Sequence, residues 1–478
     1  MQIDAQDSRI QGREPSDSHR RLVEADRLAE AGELDKAWEI VDRHLTYVSP
    51  DTPRALVVGQ KIWFKQRKMS LAYQFARRLA DVDPRNSYAW SNLGMLEDQI
   101  YRFDHAERYF KKAEMLAADS EARYPIYLNW GCMLVNAGRW DEAEVMSRKA
   151  LELNPESVKA RANLGLSLLA KGKWEEGWPL YDAIIGFDKS RRKNQYAGED
   201  VWDGSPDKRI VIYGEQGLGD EISFSSMIPD AIEVSKSVVI DCTDKLAGLF
   251  RRSFPQAKVY GTRWERGLGW DKADQEIDAS VSVGGLGKLF RPNPSTCPGT
   301  PWLIPDPDRV AMWKALFAKQ GKPVIGVAWS GGVAWTGDRN RKFDLEELLP
   351  IFKAIDAVWV SLEYKDASRE IEAFRSRHPE IDLRQYAFGT LTQDYDDTAA
   401  LVSSLDHVVS MQTSVIHLCG ALGKSCYCFV NKHGQWRYGV NDDVIPWYGN
   451  SVWIYRNVNG WPIERAAKDL RRKFAATA

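Results

Sequence analysis

The acidic residues that are best placed to take part in a reaction lie in a glycine-rich run, Gly214-Glu-Gln-Gly-Leu-Gly-Asp-Glu-Ile222. The apolar, β-branched run from Arg209 to Tyr213 precedes it and predicts a buried strand. The glycines permit a tight turn and a close approach of a ligand to the backbone. Asp220 and Glu221 fall where the next helix should begin. A carboxylate is therefore predicted at the carboxyl end of a strand, where open α/β sheets bind their ligands.

The spacing of the glycines argues against a dinucleotide cofactor. The run reads G-x-x-G-x-G, whereas the dinucleotide fingerprint reads G-x-G-x-x-G. The sequence therefore gives no support for NAD binding.

Composition bounds the class of protein. A chain of 478 residues should form two or three domains. Its net charge of -2 gives no overall drive toward nucleic acid or anionic membranes, and no apolar run approaches the roughly 20 residues that span a bilayer. The polar start, residues 1–19, does not resemble a signal peptide. The six scattered cysteines favour reduced thiols, so a cytoplasmic location is predicted.

Small residues recur through the first part of the chain at intervals of 34 to 37 residues, at Ala37, Ala72, Ala106, Ala143 and Gly177. A period near 34 with small residues at fixed offsets resembles the tetratricopeptide repeat, a stack of helix pairs. Small residues let paired helices cross closely, and larger ones fill the space between pairs. We expect about five repeats, which form a groove for a peptide or protein; a spacer or a homodimerisation platform is the alternative.

From Lys208 the pattern changes to short apolar strands that alternate with helices, which indicates parallel sheets. The predicted fold class is α plus α/β, a helical superhelix followed by two Rossmann-like units of GT-B architecture. The final helix, Pro462 to Phe474, could fold back across the first Rossmann-like unit. The expected divisions are a flexible N-terminus (1–17), the repeats (18–187), a polar linker (188–207), the first Rossmann-like unit (208–304) and the second Rossmann-like unit (305–478).

Residues 208–460 resemble bacterial heptosyltransferases and their tetratricopeptide-bearing relatives. The resemblance rests on three motifs, which are the Gly214–Ile222 run, Gly326-Val-Ala-Trp-Ser-Gly331 with Asp338-Arg-Asn-Arg-Lys-Phe343, and Asp397-Thr-Ala-Ala-Leu401 with Thr413-Ser-Val-Ile-His-Leu-Cys-Gly-Ala-Leu-Gly423. It implies an inverting, metal-independent glycosyltransferase that uses a nucleotide sugar as donor substrate. The Asp-x-Asp pairs at 81–83 and 306–308 lie in the repeats and in a proline-rich turn, so no metal site is predicted.

The resemblance also implies roles for single residues. Asp220 matches the family's base, which takes the proton of the acceptor hydroxyl. In the family, basic residues after the first strand of the second Rossmann-like unit hold the donor diphosphate. The residues at these positions here are Arg339, Arg341 and Lys342. The backbone at Thr413 and Ser414 contributes N–H groups. The remaining candidates are Ser330, Gly331, Glu363, Thr398, Gln412 and His417 on the donor side, and Glu215, Gln216, Gly217 and Gly219 on the acceptor side.

Several of these residues keep a structural alternative. Asp220 could cap its helix, Glu215 could be a turn residue, and His417 could be a buried histidine. Many relatives have aspartate where this chain has Gln412, which hydrogen-bonds but carries no charge. This departure leaves the sugar and the nucleotide undetermined.

Two functions follow from these patterns. The first is a glycosyltransferase whose repeats recruit the acceptor, which could be a protein such as flagellin, a lipopolysaccharide glycan or modified DNA. The second is a non-catalytic interaction scaffold that carries a degenerate transferase domain, with Gln412 as its sign.

Overall fold

A computed structural model describes residues 17–187, 191–194, 196, 200–265, 269–270, 276–332, 341–432, 434–441 and 443–475. The chain divides into two compact units, of which the first ends at Ala160 and the second begins at Arg161. No helix in the described part of the chain has both the length and the apolar character needed to cross a membrane.

The first unit is built from helices. They are α1 (Asp17–Ala31), α2 (Leu34–Tyr47), α3 (Pro53–Lys65), α4 (Met69–Val82), α5 (Ser87–Asp98), α6 (Phe103–Leu116), α7 (Ser120–Asn136) and α8 (Trp140–Leu153). Polar caps start two of them, because Asn86 accepts the N–H of Ala89 and Asp119 accepts the N–H of Ala122. Helix α9 (Val158–Ala170) crosses the division, and α10 (Trp174–Asp182) follows in the second unit.

The predicted tetratricopeptide-like pattern is confirmed. Ala37, Ala72, Ala106 and Ala143 lie on α2, α4, α6 and α8, and each is fully buried. Gly94 on α5 shows why small residues are needed, since a Cβ there would lie 2.9 Å from the Phe110 ring. The repeat period therefore follows from close crossings of successive helices.

The second unit contains two parallel sheets, as the sequence predicts. The first sheet has the order β1-β5-β2-β3-β4 and the second has the order β11-β10-β9-β6-β7-β8. The strands are β1 (Asp200–Val201), β2 (Arg209–Tyr213), β3 (Ser237–Asp241), β4 (Lys258–Tyr260), β5 (Ala279–Ser282), β6 (Val324–Ala328), β7 (Val358–Ser361), β8 (Asp382–Gln385), β9 (His407–Met411), β10 (Cys426–Val430) and β11 (Val452–Arg456).

The strand order reverses once in each sheet. In the first sheet the chain forms the edge strand β1 and then the central strand β2, adds β3 and β4 on one side of β2, and returns to place β5 between β2 and β1. In the second sheet the chain starts at β6 and adds β7 and β8 on one side of it. It then adds β9, β10 and β11 on the other side of β6. Such switch points open a crevice at the carboxyl ends of the strands.

Helices cover both sheets. They are α11 (Leu218–Phe224), α12 (Ile228–Val234), α13 (Asp244–Ser253), α14 (Gly287–Phe290), α15 (Pro307–Phe317), α16 (Leu349–Phe352), α17 (Ser368–Arg377), α18 (Ala387–Thr390), α19 (Tyr395–Ser404), α20 (Ser414–Ala421) and α21 (Ile463–Ala475). A 3-10 turn separates α11 from α12 just before Pro229, and Pro350 falls in the short helix α16.

Two expectations about connecting segments need correction. Part of the predicted linker joins the first sheet, because Asp200–Val201 pairs in parallel with β5 and Trp202 is buried. The final helix does not lie across the first sheet. Its residues Ala466, Ala467 and Leu470 belong to the hydrophobic core of the second sheet, so they cover that sheet instead.

Helix α10 packs as part of the α/β unit. The Trp178 ring packs against Gly287, and a Cβ on that glycine would lie 2.5 Å from the nearest ring atom. Trp178 Nε1 donates to the carbonyl of Arg291 at 2.8 Å. The preceding helix, α9, crosses α10 closely, since a Cβ on Gly165 would lie 2.6 Å from the backbone nitrogen of Tyr181. The last predicted repeat is therefore built into the second unit.

The crossing at Gly165 gives a stability test. We expect Gly165→Ala to lower the free energy of unfolding by about 1–3 kcal/mol, because the contacted atom is backbone and cannot move aside alone. Gly248→Ala, also inside a helix, should raise it by about 0.4–1 kcal/mol, since the nearest atom would be 3.8 Å away. Urea unfolding followed by tryptophan fluorescence measures both; equal effects would contradict the close crossing.

Candidate functional site

The glycine-rich turn leads from β2 into α11 and places Asp220 in the first turn of that helix, where its side chain is partly exposed. The Asp220 carboxylate accepts the N–H of Gly217 at 2.9 Å through Oδ2, which caps the helix. Its Oδ1 forms an ion pair with Nη2 of Arg437 at 2.7 Å. The Asp220 side chain remains 23% exposed, so it caps α11 and still faces solvent.

Arg437 is a site residue that the sequence analysis did not single out. It follows β10 in the chain, and its side chain is only 5% exposed. The guanidinium lies 4.7 Å from the centre of the Phe224 ring and 4.7 Å from that of Trp436. Because an arginine stays charged when buried, its carboxylate partner is a strong structural constraint. Arg437 stands between two aromatic residues in Trp436-Arg-Tyr438, and its partner Asp220 is far away in the sequence, so no local pattern could identify the pair.

The N-terminal ends of α11 and α20 meet at Gly219. A Cβ there would lie 2.8 Å from His417 Cδ2 and 3.3 Å from the Cα of Ser414. Thr413 caps α20 by accepting the N–H of Val415 at 3.1 Å. The turn of the first sheet and a helix of the second sheet therefore converge on one point.

His417 is buried and hydrogen-bonded, as its structural alternative anticipated. Its Nδ1 lies 2.5 Å from the Tyr448 hydroxyl. Burial lowers the pKa of His417 to about 3, and the positive charges of Arg437 and Arg341 contribute to this shift. The imidazole is consequently neutral near pH 7 and offers hydrogen bonds, not a charge.

The loop after β6 brings further donor-side candidates to the same place. The N–H of Gly331 donates to the carbonyl of Arg341 at 2.9 Å, and Ser330 forms a β-bridge with Lys342. A Cβ on Gly331 would lie 2.4 Å from Thr413 Cγ2, so the loop touches the start of α20. The remaining basic candidate, Arg339, lies outside the described residues.

Two donor-side candidates, Glu363 and Thr398, form hydrogen bonds within the protein, and a third, Gln412, is buried. Glu363 is buried and accepts the backbone N–H groups of Trp329 and Ser330, each at 2.8 Å, together with the Ser330 hydroxyl. Burial raises its pKa, and these contacts hold the backbone of the loop after β6. Thr398 is buried in α19 and donates to the carbonyl of Gly389 at 2.8 Å. Gln412 is buried, and its Oε1 has no hydrogen-bond partner among the described residues.

On the acceptor side, Glu215 is also structural. Its carboxylate is buried in an ion pair with Arg191 and accepts the N–H of Gly284 at 3.0 Å. The Glu215 side chain is only 1% exposed, so an acceptor cannot reach it in this arrangement and its turn-residue alternative describes it better. Gly217 is exposed at the tip of the turn, and Gln216 adopts a left-handed backbone with φ of 57°.

Behind the turn lies a buried polar network. Glu221 accepts the N–H of Thr243 at 3.0 Å and pairs with Nη1 of Arg263 at 2.5 Å. Asp241, at the end of β3, accepts the hydroxyls of Tyr196 and Thr262, each at 2.8 Å. Burial raises the pKa of Glu221 to about 7 despite the opposing charge of Arg263.

Comparison with known proteins finds a relative for most of the chain. The chain is 28% identical over 400 residues to Protein FlbA of Caulobacter vibrioides, a match that spans 79% of this chain and 65% of that protein. The chain therefore spans somewhat less than two thirds of the length of this relative. No protein-family model matches.

Some solved structures are similar to part of the chain. The Pseudomonas aeruginosa pilF protein is 16% identical with a TM-score of 0.33, and the match covers 37% of this chain and 78% of that one. TTC0263, a tetratricopeptide protein from Thermus thermophilus, is 22% identical with a TM-score of 0.30, over 35% of this chain and 90% of that one.

The raised pKa of Glu221 gives a pH-dependence test. Between pH 4.5 and about 7 the unfolded state loses this proton while the folded state keeps it, so folding stability falls as pH rises, by up to roughly 3 kcal/mol. Glu221→Gln cannot titrate, and we expect its melting temperature to fall less over this range. Melting curves at pH 5, 6, 7 and 8 measure the difference. Glu233→Gln, at an exposed position, should follow the wild type; parallel slopes for both variants would refute the assignment.

Proposed function

We propose that the α/β unit is a GT-B glycosyltransferase that moves a sugar from a nucleotide-sugar donor to an acceptor hydroxyl with inversion and without a metal. The observation that carries the proposal is the meeting of the Asp220 turn with the start of α20 at Gly219. It joins a carboxylate on the first sheet with the cations and helix N-terminus of the second.

The positions of these groups in the topology support a ligand site. The turn with Asp220 follows β2, which lies at the switch point of the first sheet. The loop with Ser330 follows β6 and the cap Thr413 follows β9, and these two strands flank the switch point of the second sheet. Ligands of parallel α/β sheets bind at such points, outside the carboxyl ends of the strands.

The donor diphosphate would lie against the start of α20. The first N–H groups of a helix have no partner within the helix and attract anions, which suits the backbone at Ser414. Arg341 stands close enough to lower the pKa of His417, and Lys342 follows it on the exposed side of the loop. These cations would stabilise the charge that develops on the leaving diphosphate.

Asp220 would act as the general base. The acceptor oxygen bonds to the anomeric carbon while the bond from that carbon to the diphosphate oxygen breaks. The hydroxyl proton passes to Asp220, and the electron pair of the broken bond stays on the diphosphate. Attack opposite the leaving group inverts the anomeric centre. The carboxylate also faces the positive charge that develops on the sugar.

The structure of the turn keeps a second function in view. Asp220 is already paired with Arg437 and Gly217, and Gln412 is uncharged and buried. A non-catalytic scaffold, in which the repeats bind a partner and the α/β unit has lost transfer activity, fits these two observations. Donor turnover separates the two functions.

The repeats would recruit the acceptor or a partner protein. Stacked helix pairs present an extended surface that suits a peptide or a protein. A protein, a glycan and modified DNA all remain acceptors within the proposal. The net charge of -2 gives DNA no general advantage.

Replacement of the base is the first test. A panel of UDP-, GDP-, ADP- and CMP-linked sugars identifies the donor by hydrolysis. We expect Asp220→Asn to reduce turnover of that donor by roughly 10²–10⁴-fold, because the amide cannot accept the proton, with little change in donor affinity. Asp230→Asn, which alters an ion pair with Arg291 elsewhere in the same half, should retain turnover. No binding of any sugar nucleotide would favour the scaffold.

Removal of a donor-side cation is the second test. Arg341→Met should weaken donor binding by roughly 10–100-fold, the cost of charged hydrogen bonds worth about 1.5–3 kcal/mol. Arg471→Met, on an exposed face of α21, should bind the donor as the wild type does. Isothermal titration measures both affinities. Wild-type affinity in Arg341→Met would exclude this arginine from the diphosphate site.

A further inference from the structure

The turn that carries Asp220 is held by the last repeat helix as well as by its own sheet. Nε2 of Gln216 donates to the hydroxyl of Tyr181, on α10, at 2.5 Å. The backbone carbonyl of Tyr181 accepts Nη1 of Arg191, whose guanidinium also binds Glu215 beside Gln216. Two neighbouring residues of the turn are thus attached to one end of α10.

Gln216 is conformationally unusual within this turn. Its φ of 57° lies in the left-handed region, which a residue with a Cβ seldom adopts outside specific turns. Nη2 of Arg263 donates to its backbone carbonyl at 2.6 Å and helps to hold that conformation. Such backbone conformations persist where the surroundings determine them, and they cluster at functional sites.

The other end of the Gln216 amide faces Arg437. Nη2 of Arg437 donates to Oε1 of Gln216 at 3.3 Å, and the same nitrogen pairs with Oδ1 of Asp220 at 2.7 Å. An unbroken chain of polar contacts therefore runs from the Tyr181 hydroxyl through Gln216 and Arg437 to the Asp220 carboxylate.

We propose that Tyr181 and Gln216 are positioning residues that aim Arg437, and through it Asp220, at the acceptor. The last repeat helix would then belong to the transferase machinery and would not serve only as a spacer. The inference rests on the proposed transfer reaction, in which Asp220 is the base. A base that is misplaced by about 1 Å can lose about 10²-fold in rate.

The hydroxyl of Tyr181 can be separated from the packing of its ring. The ring contacts Trp178 and Trp436, each at 5.8 Å between centroids, and the Arg191 guanidinium lies 3.9 Å from its centre. Phenylalanine can keep these ring contacts while it removes the bond to Gln216. Tyr181→Phe consequently tests the positioning contact with little change in packing.

Two single variants and their combination provide the test in the full chain. Gln216→Asn retains a residue that tolerates the left-handed backbone, but its shorter side chain cannot bridge Tyr181 and Arg437. With the donor found in the hydrolysis panel, we expect each single variant to lower kcat about tenfold while donor Kd stays within about twofold. The double variant should lose no more than the larger single loss, because both substitutions break the same chain.

A matched control and a measurement independent of turnover complete the design. Tyr455→Phe removes another buried tyrosine hydroxyl, bonded to Asp469 at 2.9 Å, and should keep wild-type kcat. Hydrogen exchange of the backbone amides from 214 to 222 should become faster in Tyr181→Phe and remain unchanged in Tyr455→Phe. This measurement needs no sugar nucleotide.

The outcomes separate the inference from the proposed function. Faster exchange with the kcat loss supports the positioning role. Wild-type kcat with unchanged exchange overturns it while the transferase proposal stands, and additive losses in the double variant overturn the shared chain. If the wild type turns over no sugar nucleotide, the proposed function fails, and the catalytic part of the inference fails with it.

Discussion

The ion pair between Asp220 and Arg437 joins the two halves of the α/β unit. Asp220 belongs to the turn after β2, the central strand of one sheet, and Arg437 follows β10, the fifth strand of the other in chain order. Burial of a guanidinium between aromatic rings destabilises the fold unless the guanidinium is paired with a carboxylate. Removal of one partner from a buried pair typically lowers the free energy of unfolding by about 3–5 kcal/mol. The pair therefore fixes the turn in relation to α20.

The same arrangement recurs along the turn. Each of its acidic side chains pairs with an arginine that is distant in sequence. The pairs are Glu215 with Arg191, Asp220 with Arg437, and Glu221 with Arg263. Two of these carboxylates are buried and only Asp220 remains partly exposed, so the inner pairs build the turn and the outer one faces the crevice. Chemistry at the turn thus depends on groups from three separate parts of the chain.

The sequence predicts what local pattern decides and misses what tertiary contacts decide. The repeat period and the apolar runs give the helix pairs, the central strands and the location of the turn. Edge strand Asp382–Gln385 has one apolar residue and acquires its strand conformation by pairing with β7, so it left no pattern to read. Glu215 and Glu363 resemble site residues in a motif, but their buried partners make them structural. Arg437 shows the converse, since its importance depends on a neighbour more than 200 positions away.

The cap and the base are compatible roles for Asp220. A carboxylate offers about four acceptor positions, two on each oxygen. The N–H of Gly217 uses one on Oδ2, and Arg437 uses one on Oδ1. Because part of the side chain is exposed, a hydroxyl can approach a remaining position without breaking either bond. Both existing bonds restrict rotation of the carboxylate, so the contacts that make Asp220 a helix cap also orient it for proton transfer.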